Sequence, residues 1–314
     1  MKRIDCSGHT RKMLPELIDL EKQFKPSTLT RIVDPRLDQF NIELWMKRDD
    51  LLHPIISGNK WRKLKFILQD VLSGGFHTVV SMGGAYSNHL HALACIGQKL
   101  DIKTIGLVRG EAPAVWNPTL RDLERWGMQL RFVSRGAYRK LREYQRPDSL
   151  PGLTPGQYWL PEGGSVKLAL AGVAEAIAEI DMPYDTICVP CGTGTTLAGI
   201  IGALPARATA IGFAALKNAG FLQQDVRRFL VMPELQQPRW HIEQRYHFGG
   251  FGKSDVRLQT FIDNFIRCTG IPLEPVYTGK MLYGIYDLIE RGFFRPGQRI
   301  VVLHTGGLQG SREE

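Results

Sequence analysis

The sequence has few cysteines, no long apolar run and no apolar leader. A window of about 18 apolar residues, the length that a membrane helix needs, does not occur. The first five residues lack the apolar stretch of a secretory signal. The cysteines are odd in number and scattered, which argues against a disulfide framework and favours a reducing compartment. They are Cys6, Cys95, Cys188, Cys191 and Cys268. We therefore expect a soluble, cytoplasmic protein with no membrane partner.

Cys188 and Cys191 form a CxxC pair, which elsewhere suggests redox chemistry or zinc. Here the pair ends an apolar strand, and residues i and i+3 of a strand lie about 10 Å apart on opposite faces. That distance is too long for a disulfide. No second CxxC or CxxH pair completes a zinc site, so we expect no metal.

The charge is basic but dispersed. Lysine and arginine number 40 against 31 acidic residues, a net charge of +9. The densest run lies between Arg135 and Arg146, and a helix face that contacts RNA or lipid is the alternative there. We favour a solvated basic face that attracts anionic substrates, and expect no nucleic acid partner.

The 314 residues, 43% of them hydrophobic, suit two α/β lobes. Strands are predicted at 43–48, 78–82, 103–108, 129–133, 157–161, 185–190, 209–216 and 299–305. Helices are predicted at 61–72, 88–100, 117–127, 166–180, from 195 onward, 254–268 and 280–291. This alternation predicts mainly parallel sheets covered by helices on both faces. The Pro- and Gly-rich stretch 147–156 is the predicted crossing between the lobes.

Lys60 stands in the first turn of a predicted helix, in the segment SGNKWRKL. This placement is unusual because the positive end of the helix dipole disfavours a cation. The same field, together with burial, would lower the pKa of the amine and make it more nucleophilic. A Schiff-base lysine needs that property. On this segment alone, a surface lysine in a basic stretch remains the alternative.

Two more glycine-rich turns precede helices. Gly83 and Gly84 lead to Ser87 and Asn88, where a helix start offers N–H donors, a hydroxyl and an amide to a carboxylate. Ordinary capping by Ser87 is the alternative. His89 with His91 lacks a third ligand for a metal.

The third turn, CGTGTTL at 191–197, offers glycines and hydroxyls at a helix start, as a phosphate cradle does. It is not a Walker loop, and Leu197 stands where a dinucleotide fingerprint needs its third glycine. A site for a single phosphate fits better than an NAD-binding oxidoreductase, and a plain strand–helix turn stays open.

Taken together, these segments resemble the 1-aminocyclopropane-1-carboxylate (ACC) deaminase and D-cysteine desulfhydrase family of pyridoxal 5′-phosphate (PLP) enzymes. The matches occur in family order from about residue 43 to 307. They are KRDD at 47–50, GNKWRKL at 58–64, SNH at 87–89, GGS at 163–165, GTGTT at 192–196, YTGK at 277–280 and HTGG at 304–307.

The resemblance implies fold type II, as in the tryptophan synthase β-subunit, and a homodimer. It implies a small α/β domain at 63–160 and a large PLP-binding domain formed by 1–62 and 161–314. Lys60 would hold the cofactor and shuttle the α-proton of a small amino acid. Asn88 would bond the ring hydroxyl, and Ser87, with His89 beside it, would hold the substrate carboxylate.

The other implied contacts surround the cofactor. Tyr277 would stand beside the ring and the substrate, and Thr278 would meet the pyridine nitrogen. The phosphate would be bound by Gly192, Thr193, Gly194, Thr195 and Thr196, with Lys63 as a further contact.

Two departures favour α,β-elimination, with release of a 2-oxo acid and ammonia, over ring opening. ACC deaminases carry a glutamate where Thr278 stands, and a hydroxyl leaves the ring a weaker electron sink, which suffices to expel a thiolate. They also carry a second tyrosine where Phe251 aligns. ACC deaminase is the alternative activity, and a PLP-binding homologue with weak or no catalysis is another. Tyr86 and His91 also depart from the family, and we expect them to narrow or repolarise the site.

Overall fold

The structure is a computed structural model that describes residues 12–230 and 238–311. Cys6, the first five residues and the last three residues of the short tail lie outside the described part. Within it, no helix is long and apolar enough to cross a lipid bilayer.

Ten strands within the described part of the chain form two sheets. One sheet has six strands in the order β1-β2-β10-β7-β8-β9, and only the β1–β2 pair is antiparallel. The other has four parallel strands in the order β5-β4-β3-β6. The strands are β1 Leu29–Ile32, β2 Glu43–Lys47, β3 Thr78–Gly83, β4 Lys103–Arg109, β5 Gln129–Val133, β6 Gln157–Leu160, β7 Thr186–Cys191, β8 Thr209–Ala214, β9 Arg239–Glu243 and β10 Arg299–Leu303.

Eleven α-helices lie within the described residues. They are α1 Pro15–Glu21, α2 Pro35–Asp38, α3 Asn59–Ser73, α4 Asn88–Lys99, α5 Pro118–Arg125, α6 Arg135–Leu141, α7 Leu168–Ala178, α8 Thr195–Ala203, α9 Phe221–Arg227, α10 Val256–Thr269 and α11 Thr278–Glu290. The predicted α/β architecture of mainly parallel sheets flanked by helices is confirmed. The domain limits at residues 63 and 160 stay a prediction.

The prediction for the stretch 147–156 was wrong. This stretch follows α6 and leads into β6, which pairs with β3 in the four-stranded sheet. It therefore connects two elements on the same sheet. The chain passes to the other sheet after β6, through α7 and into β7. The Pro and Gly residues here form a surface loop within one sheet. A loop of this kind and a linker between two lobes have the same composition, so composition alone does not distinguish them.

Helices α3 and α7 pack at very short range. A Cβ atom on Gly172 would lie 1.8 Å from the carbonyl oxygen of Arg62, so only glycine allows this approach. The same contact places the start of α3 beside the large sheet. The side chain of Arg62 is fixed by Asp49, whose oxygens lie 3.0 and 3.2 Å from the guanidinium, and by Glu179. The KRDD motif thus orients α3 through Asp49.

The CxxC pair serves the core. Cys188 packs in the apolar cluster on the α10 and α11 side of the large sheet, and Cys191 packs in the cluster on the α8 side. Both are buried free thiols. Within the described residues, no group of three or more potential metal ligands is assembled.

Candidate active site

Lys60 stands in the first turn of α3, as predicted. Gly58 precedes the helix with φ of 64°, and a Cβ atom there would lie 1.9 Å from the carbonyl oxygen of Thr305. Only glycine tolerates both conditions. The close approach sets the start of α3 against the HTGG turn after β10. The amine of Lys60 donates to Oδ1 of Asn59 at 2.5 Å.

The protein around Lys60 makes its amine a stronger nucleophile. The pKa of Lys60 is lowered to about 8 because the surrounding protein removes water from the ammonium group, although the carboxylate of Glu274 opposes this shift. The side chain still has a partly accessible surface. A lysine that is both reachable and partly uncharged near neutral pH is suited to bind a carbonyl compound.

Lys63 lies one helical turn further along α3 and is 4% exposed. Its pKa is lowered to about 7, first by burial and then by the charge of Lys60. The amine donates to the carbonyl oxygen of Gly163 at 3.1 Å. Lys63 is thus held beside the GGS turn, within electrostatic reach of Lys60.

The GTGTT turn gathers hydroxyl groups at the start of α8. The hydroxyl of Thr195 lies 3.0 Å from that of Thr193 and 2.8 Å from that of Ser165. Arg228 donates to Ser165 at 3.1 Å, which brings a cation to the same group. This arrangement supplies several donors and a positive charge around one small space, as an oxyanion requires.

The backbone of this turn adds further donors. Among the described residues, no carbonyl oxygen accepts a hydrogen bond from the N–H groups of 192–196. Gly194, with φ of 73°, directs the chain into α8. The side chain of Asn59 donates to Oγ1 of Thr196 at 2.9 Å, which joins the Lys60 segment to this turn. These two segments are far apart in the sequence, and the fold brings them together.

The turn between β3 and α4 forms another side of the site. Ser87 is the N-cap of α4, and its Oγ accepts from the N–H of Leu90 at 3.2 Å, so its own O–H stays available as a donor. Oδ1 of Asn88 accepts from Gln309 at 2.6 Å. That bond fixes the amide orientation and leaves the NH2 group of Asn88 to donate. The short C-terminal tail therefore contributes to the site through Gln309.

His89 is buried behind this turn, with 3% of its surface exposed. The Ser81 hydroxyl donates to the carbonyl oxygen of Leu160, and the Nε2 atom of His89 lies 2.8 Å from that hydroxyl. Because Ser81 has used its proton, Nε2 is the protonated nitrogen and Nδ1 is an acceptor. Nδ1 has no hydrogen-bond partner among the residues that the structure describes. Burial, followed by the charges of Lys63 and Lys60, lowers the pKa of His89 to about 3, so the ring is neutral.

Tyr277 and Thr278 begin α11, and a buried carboxylate holds them there. Glu274, 2% exposed, accepts from the N–H of Tyr277 at 3.0 Å and from the N–H of Thr278 at 2.6 Å. It also accepts the hydroxyl proton of Thr278 at 3.0 Å. A carboxylate at a helix N-terminus is favoured by the helix dipole. The hydroxyl of Tyr277 lies 3.2 Å from a Cβ position on Gly192, so its ring adjoins the GTGTT turn.

Lys280, the lysine of YTGK, has a structural task. Its amine donates to the carbonyl oxygens of His247 and Gly250 at 2.9 and 2.7 Å. Burial lowers the pKa of Lys280 to about 8. These bonds hold the loop that carries Phe251, whose ring lies 5.7 Å from the Tyr277 ring in an edge-on arrangement. A hydrocarbon ring therefore lies at the edge of Tyr277.

Two residues that differ from the family pattern do not point toward Lys60. His91 is buried against α5, where it lies 2.9 Å from an oxygen of Asp122 and packs on the ring of Trp126 at 4.7 Å. The expectation that His91 repolarises the site was therefore wrong, since one turn of α4 turns its side chain toward α5. Tyr86 is 56% exposed, at the surface of the β3–α4 turn.

Several residues of this region were not predicted. Glu274 could have been recognised as an acid just before a helix start. Arg228 and Gln309 carry no local signal, because each reaches the site from a distant segment.

The profile described as "Pyridoxal-phosphate dependent enzyme" matches residues 28–306. The chain belongs to this family. Its cofactor is accordingly pyridoxal 5′-phosphate, and it is an enzyme of the PLP-dependent lyase and deaminase type.

The individual relatives of this PLP enzyme are consistent with the family match. It is 30% identical over 300 residues to a putative 1-aminocyclopropane-1-carboxylate deaminase of Pyrococcus abyssi, with 88% of each chain covered. It is 31% identical to the bifunctional D-cysteine desulfhydrase/1-aminocyclopropane-1-carboxylate deaminase of Arabidopsis thaliana, covering 85% of this chain and 73% of that one. The crystal structure of an ACC deaminase homologue superposes with a TM-score of 0.76 at 26% identity, covering 95% of this chain and 97% of the other.

The geometry of the PLP enzyme fits its cofactor. The unpartnered N–H groups and hydroxyls at the start of α8 suit a phosphate, and the nucleophilic amine of Lys60 suits an aldehyde. The unpartnered Nδ1 of His89 lies on the side of Gly164, where a Cβ atom would be 3.8 Å away. These groups come from separate segments that the fold brings together, as the bond of Asn59 to Thr196 and the bond of Lys63 to Gly163 show.

Proposed function

We propose that this PLP enzyme catalyses α,β-elimination on a small amino acid, as a D-cysteine desulfhydrase does, with release of a 2-oxo acid and ammonia. The single observation that carries this choice is the neutral hydroxyl of Thr278 at the start of α11, with its proton donated to Glu274. When bound, PLP withdraws electron density from the Cα atom of the amino acid joined to it.

Lys60 is the residue that we propose to hold the cofactor and then to take the α-proton. A general base works best when its pKa lies near the working pH, and the pKa of Lys60 is lowered to about 8. Its start-of-helix position and its bond to Asn59 keep the amine within the site.

We assign the remaining roles from the hydrogen-bond donors and acceptors that each residue offers. Ser87, with the N–H groups of its turn, would bind the α-carboxylate, and Asn88 would donate to the ring hydroxyl. The proposed phosphate site comprises Gly192, Thr193, Gly194, Thr195 and Thr196, with Lys63 and the cation of Arg228 nearby. His89 would accept a hydrogen bond at Nδ1 from the substrate side, and Tyr277 would stand beside the ring.

Thr278 and Phe251 favour elimination over opening of an unactivated cyclopropane. The carboxylate of Glu274 is occupied by backbone N–H groups and by the Thr278 hydroxyl, so it supports a ring nitrogen only through that hydroxyl. A neutral acceptor stabilises a protonated ring less than a direct carboxylate does. Phe251 offers no hydroxyl beside Tyr277. A thiolate leaving group needs less electron withdrawal than a carbon–carbon bond.

ACC deaminase is the second candidate, because relatives of this chain carry that name. A PLP-binding protein with weak or no catalysis is a third, motivated by the exposed Tyr86 in the turn that leads to Ser87. On the family resemblance we also propose a homodimer, and on the scattered, odd-numbered cysteines a cytoplasmic location. Sedimentation of the purified protein tests the first of these two.

The test is a substrate panel with the purified holoenzyme. It comprises D-cysteine, L-cysteine and ACC, with sulfide, pyruvate and 2-oxobutyrate as measured products. We expect kcat/KM for D-cysteine to exceed that for ACC by at least about tenfold, or about 1.4 kcal/mol of activation free energy. Phe251→Tyr, which adds one hydroxyl beside Tyr277, should narrow that ratio. Turnover of ACC at a rate that rivals D-cysteine would favour the second candidate, and bound cofactor without turnover would favour the third.

A further inference from the structure

Arg109 lies near the turn that carries Ser87 and near Tyr277. It is the last residue of β4, at the carboxyl edge of the four-stranded sheet, where ligands bind in parallel sheets. Its Nη2 atom lies 3.7 Å from a Cβ position on Gly84, in the turn that leads to Ser87. It is also near enough to Tyr277 to lower the pKa of that phenol, against a stronger rise from burial.

The guanidinium of Arg109 is held in place but has no anionic partner. It stacks over the ring of Tyr138 at 5.6 Å, and the hydroxyl of Tyr138 donates to Glu162 at 2.7 Å. Glu162 is itself neutralised by Arg142 at 3.0 Å. Within the described residues, Arg109 makes no ion pair with a carboxylate.

Arg109 faces three more arginines across an open cleft of about 410 Å³. The lining residues are Arg109, Arg135, Tyr138, Arg139 and Arg142, and among the described residues only Arg142 of these four cations is paired with an acid, Glu162. The three arginines of α6 and its cap follow at i, i+4 and i+7, so they share one face of the helix. Like charges at this spacing disfavour the helix. A cleft of this size and charge suits an oxyanion and offers nothing to a neutral thiol.

We propose that the arginine cleft binds a negatively charged group on the β-carbon of the amino-acid substrate, and that Arg109 is the residue that selects for it. This inference rests on the proposed function. The substrate class is an amino acid whose β-substituent is an oxyanion ester, such as a phosphate or a sulfate. The Cα–H and Cβ–O bonds break, the electron pair of the latter leaves with the oxyanion, and water then releases ammonia as the 2-oxo acid forms.

Binding is tested with a compound that cannot react. In 2-amino-3-phosphonopropanoate the phosphorus is bonded to carbon, so it does not leave, and alanine of the same configuration is the matched probe without the anion. We expect the holoenzyme to bind the phosphonate at least about tenfold more tightly than alanine, as a charge-assisted bidentate contact implies. The readout is the change in cofactor absorbance on titration, with both enantiomers used.

Variants test whether Arg109 accounts for the preference for the phosphonate over alanine. Arg109→Gln should reduce the phosphonate-to-alanine ratio by about tenfold, and Arg109→Lys should restore part of it. Arg131→Gln, at an exposed position of β5 whose side chain contacts Gln129, should leave the ratio unchanged within about twofold. If Arg109→Gln does not fold, the same phosphonate-to-alanine ratio is measured in Arg139→Gln, on the exposed face of α6. The kcat/KM ratio of O-phosphoserine to D-cysteine should follow the same order.

Two outcomes overturn the inference. One is a wild-type holoenzyme that shows no preference for the phosphonate. The other is an Arg109→Gln variant that weakens alanine and the phosphonate equally, which would assign Arg109 to the α-carboxylate. If D-cysteine is eliminated normally in either case, the proposed function stands and only the cleft is refuted. Preferential binding of the phosphonate without turnover of any substrate would instead refute the proposed function alone.

Discussion

The hydroxyl of Thr278 donates its proton to Oε1 of Glu274 at 3.0 Å, while the N–H of Glu274 lies 3.4 Å from the Thr278 oxygen. With its proton committed, the hydroxyl can only accept a further hydrogen bond. Any further group that meets the Thr278 oxygen must therefore donate a hydrogen bond. If that group is the pyridine nitrogen, as proposed, its protonated form is favoured, but less than a direct carboxylate would favour it.

Thr278→Val tests this relationship, with Thr278→Ser as the matched control. Valine keeps the shape and removes the acceptor, so we expect the pKa of the ring nitrogen to fall. The 15N chemical shift of labelled cofactor in the holoenzyme reports that pKa directly. Turnover should fall by about tenfold or more in the valine variant and by less than about threefold in the serine variant. Equal ring-nitrogen shifts in wild type and Thr278→Val would contradict the proposed role.

The rate at which the apoprotein binds PLP should depend on the fraction of Lys60 whose amine is uncharged. Its pKa is lowered to about 8, so the amine is largely protonated at pH 7 and largely free at pH 9. The capture rate should rise about tenfold per pH unit below the pKa and level off above it. Stopped-flow absorbance over this range gives the midpoint.

Glu274→Gln provides the matched test, because the charge of Glu274 raises the pKa of Lys60. Its removal should move the midpoint to lower pH. A wild-type rate that keeps rising toward pH 10 would show that Lys60 has an ordinary pKa, and it would refute this part of the account.

Gly58→Ala should be far more damaging than Gly75→Ala. Both glycines have positive φ, 64° and 70°, so both variants carry backbone strain, and at Gly58 the ψ of −152° lies in a region that is essentially restricted to glycine. Only at Gly58 does the new Cβ atom meet a backbone carbonyl, that of Thr305 at 1.9 Å, whereas Gly75 faces open space. Thermal unfolding and cofactor content measure the difference. Similar unfolding temperatures for the two variants would show that the approach of α3 to the HTGG turn is not needed.

Gln309→Ala tests the contribution of the C-terminal tail. Gln309 donates to Asn88 at 2.6 Å and accepts from Thr119 at 2.8 Å, so it fixes the Asn88 amide. We expect turnover to fall about fivefold, as the loss of one orienting hydrogen bond of about 1 kcal/mol implies. Gln129→Ala, at an exposed position of β5, serves as the control. Unchanged turnover would remove the tail from the site.

The repeating elements of the fold were predictable because each has a local cause. Apolar runs bounded by glycine or proline gave the buried strands, and the Ser87 cap fixed the start of α4. Short elements with weak periodicity, such as α6 and β9, were not predicted. The role of the stretch 147–156 was misjudged, since strand pairing depends on contacts that no local pattern encodes.

The positions of Lys60 and Ser87 at helix starts were predictable, because each stands beside its own glycine-rich turn. The site was not predictable where function depends on contacts between distant segments. Glu274 acquires its importance from the Thr278 hydroxyl, and Arg109 from its approach to Gly84. Such pairs appear only when the chain is folded.

Lys60 and Lys63 provide the most direct test, because both are shielded lysines with a lowered pKa, about 8 and about 7, on the same helix. The holoenzyme is reduced with borohydride, which fixes the cofactor to its lysine, and the digested protein is analysed by mass spectrometry. We predict a single pyridoxyl phosphate group on Lys60 and none in Lys60→Ala. A group on Lys63, or labelling that survives Lys60→Ala, would contradict the central claim.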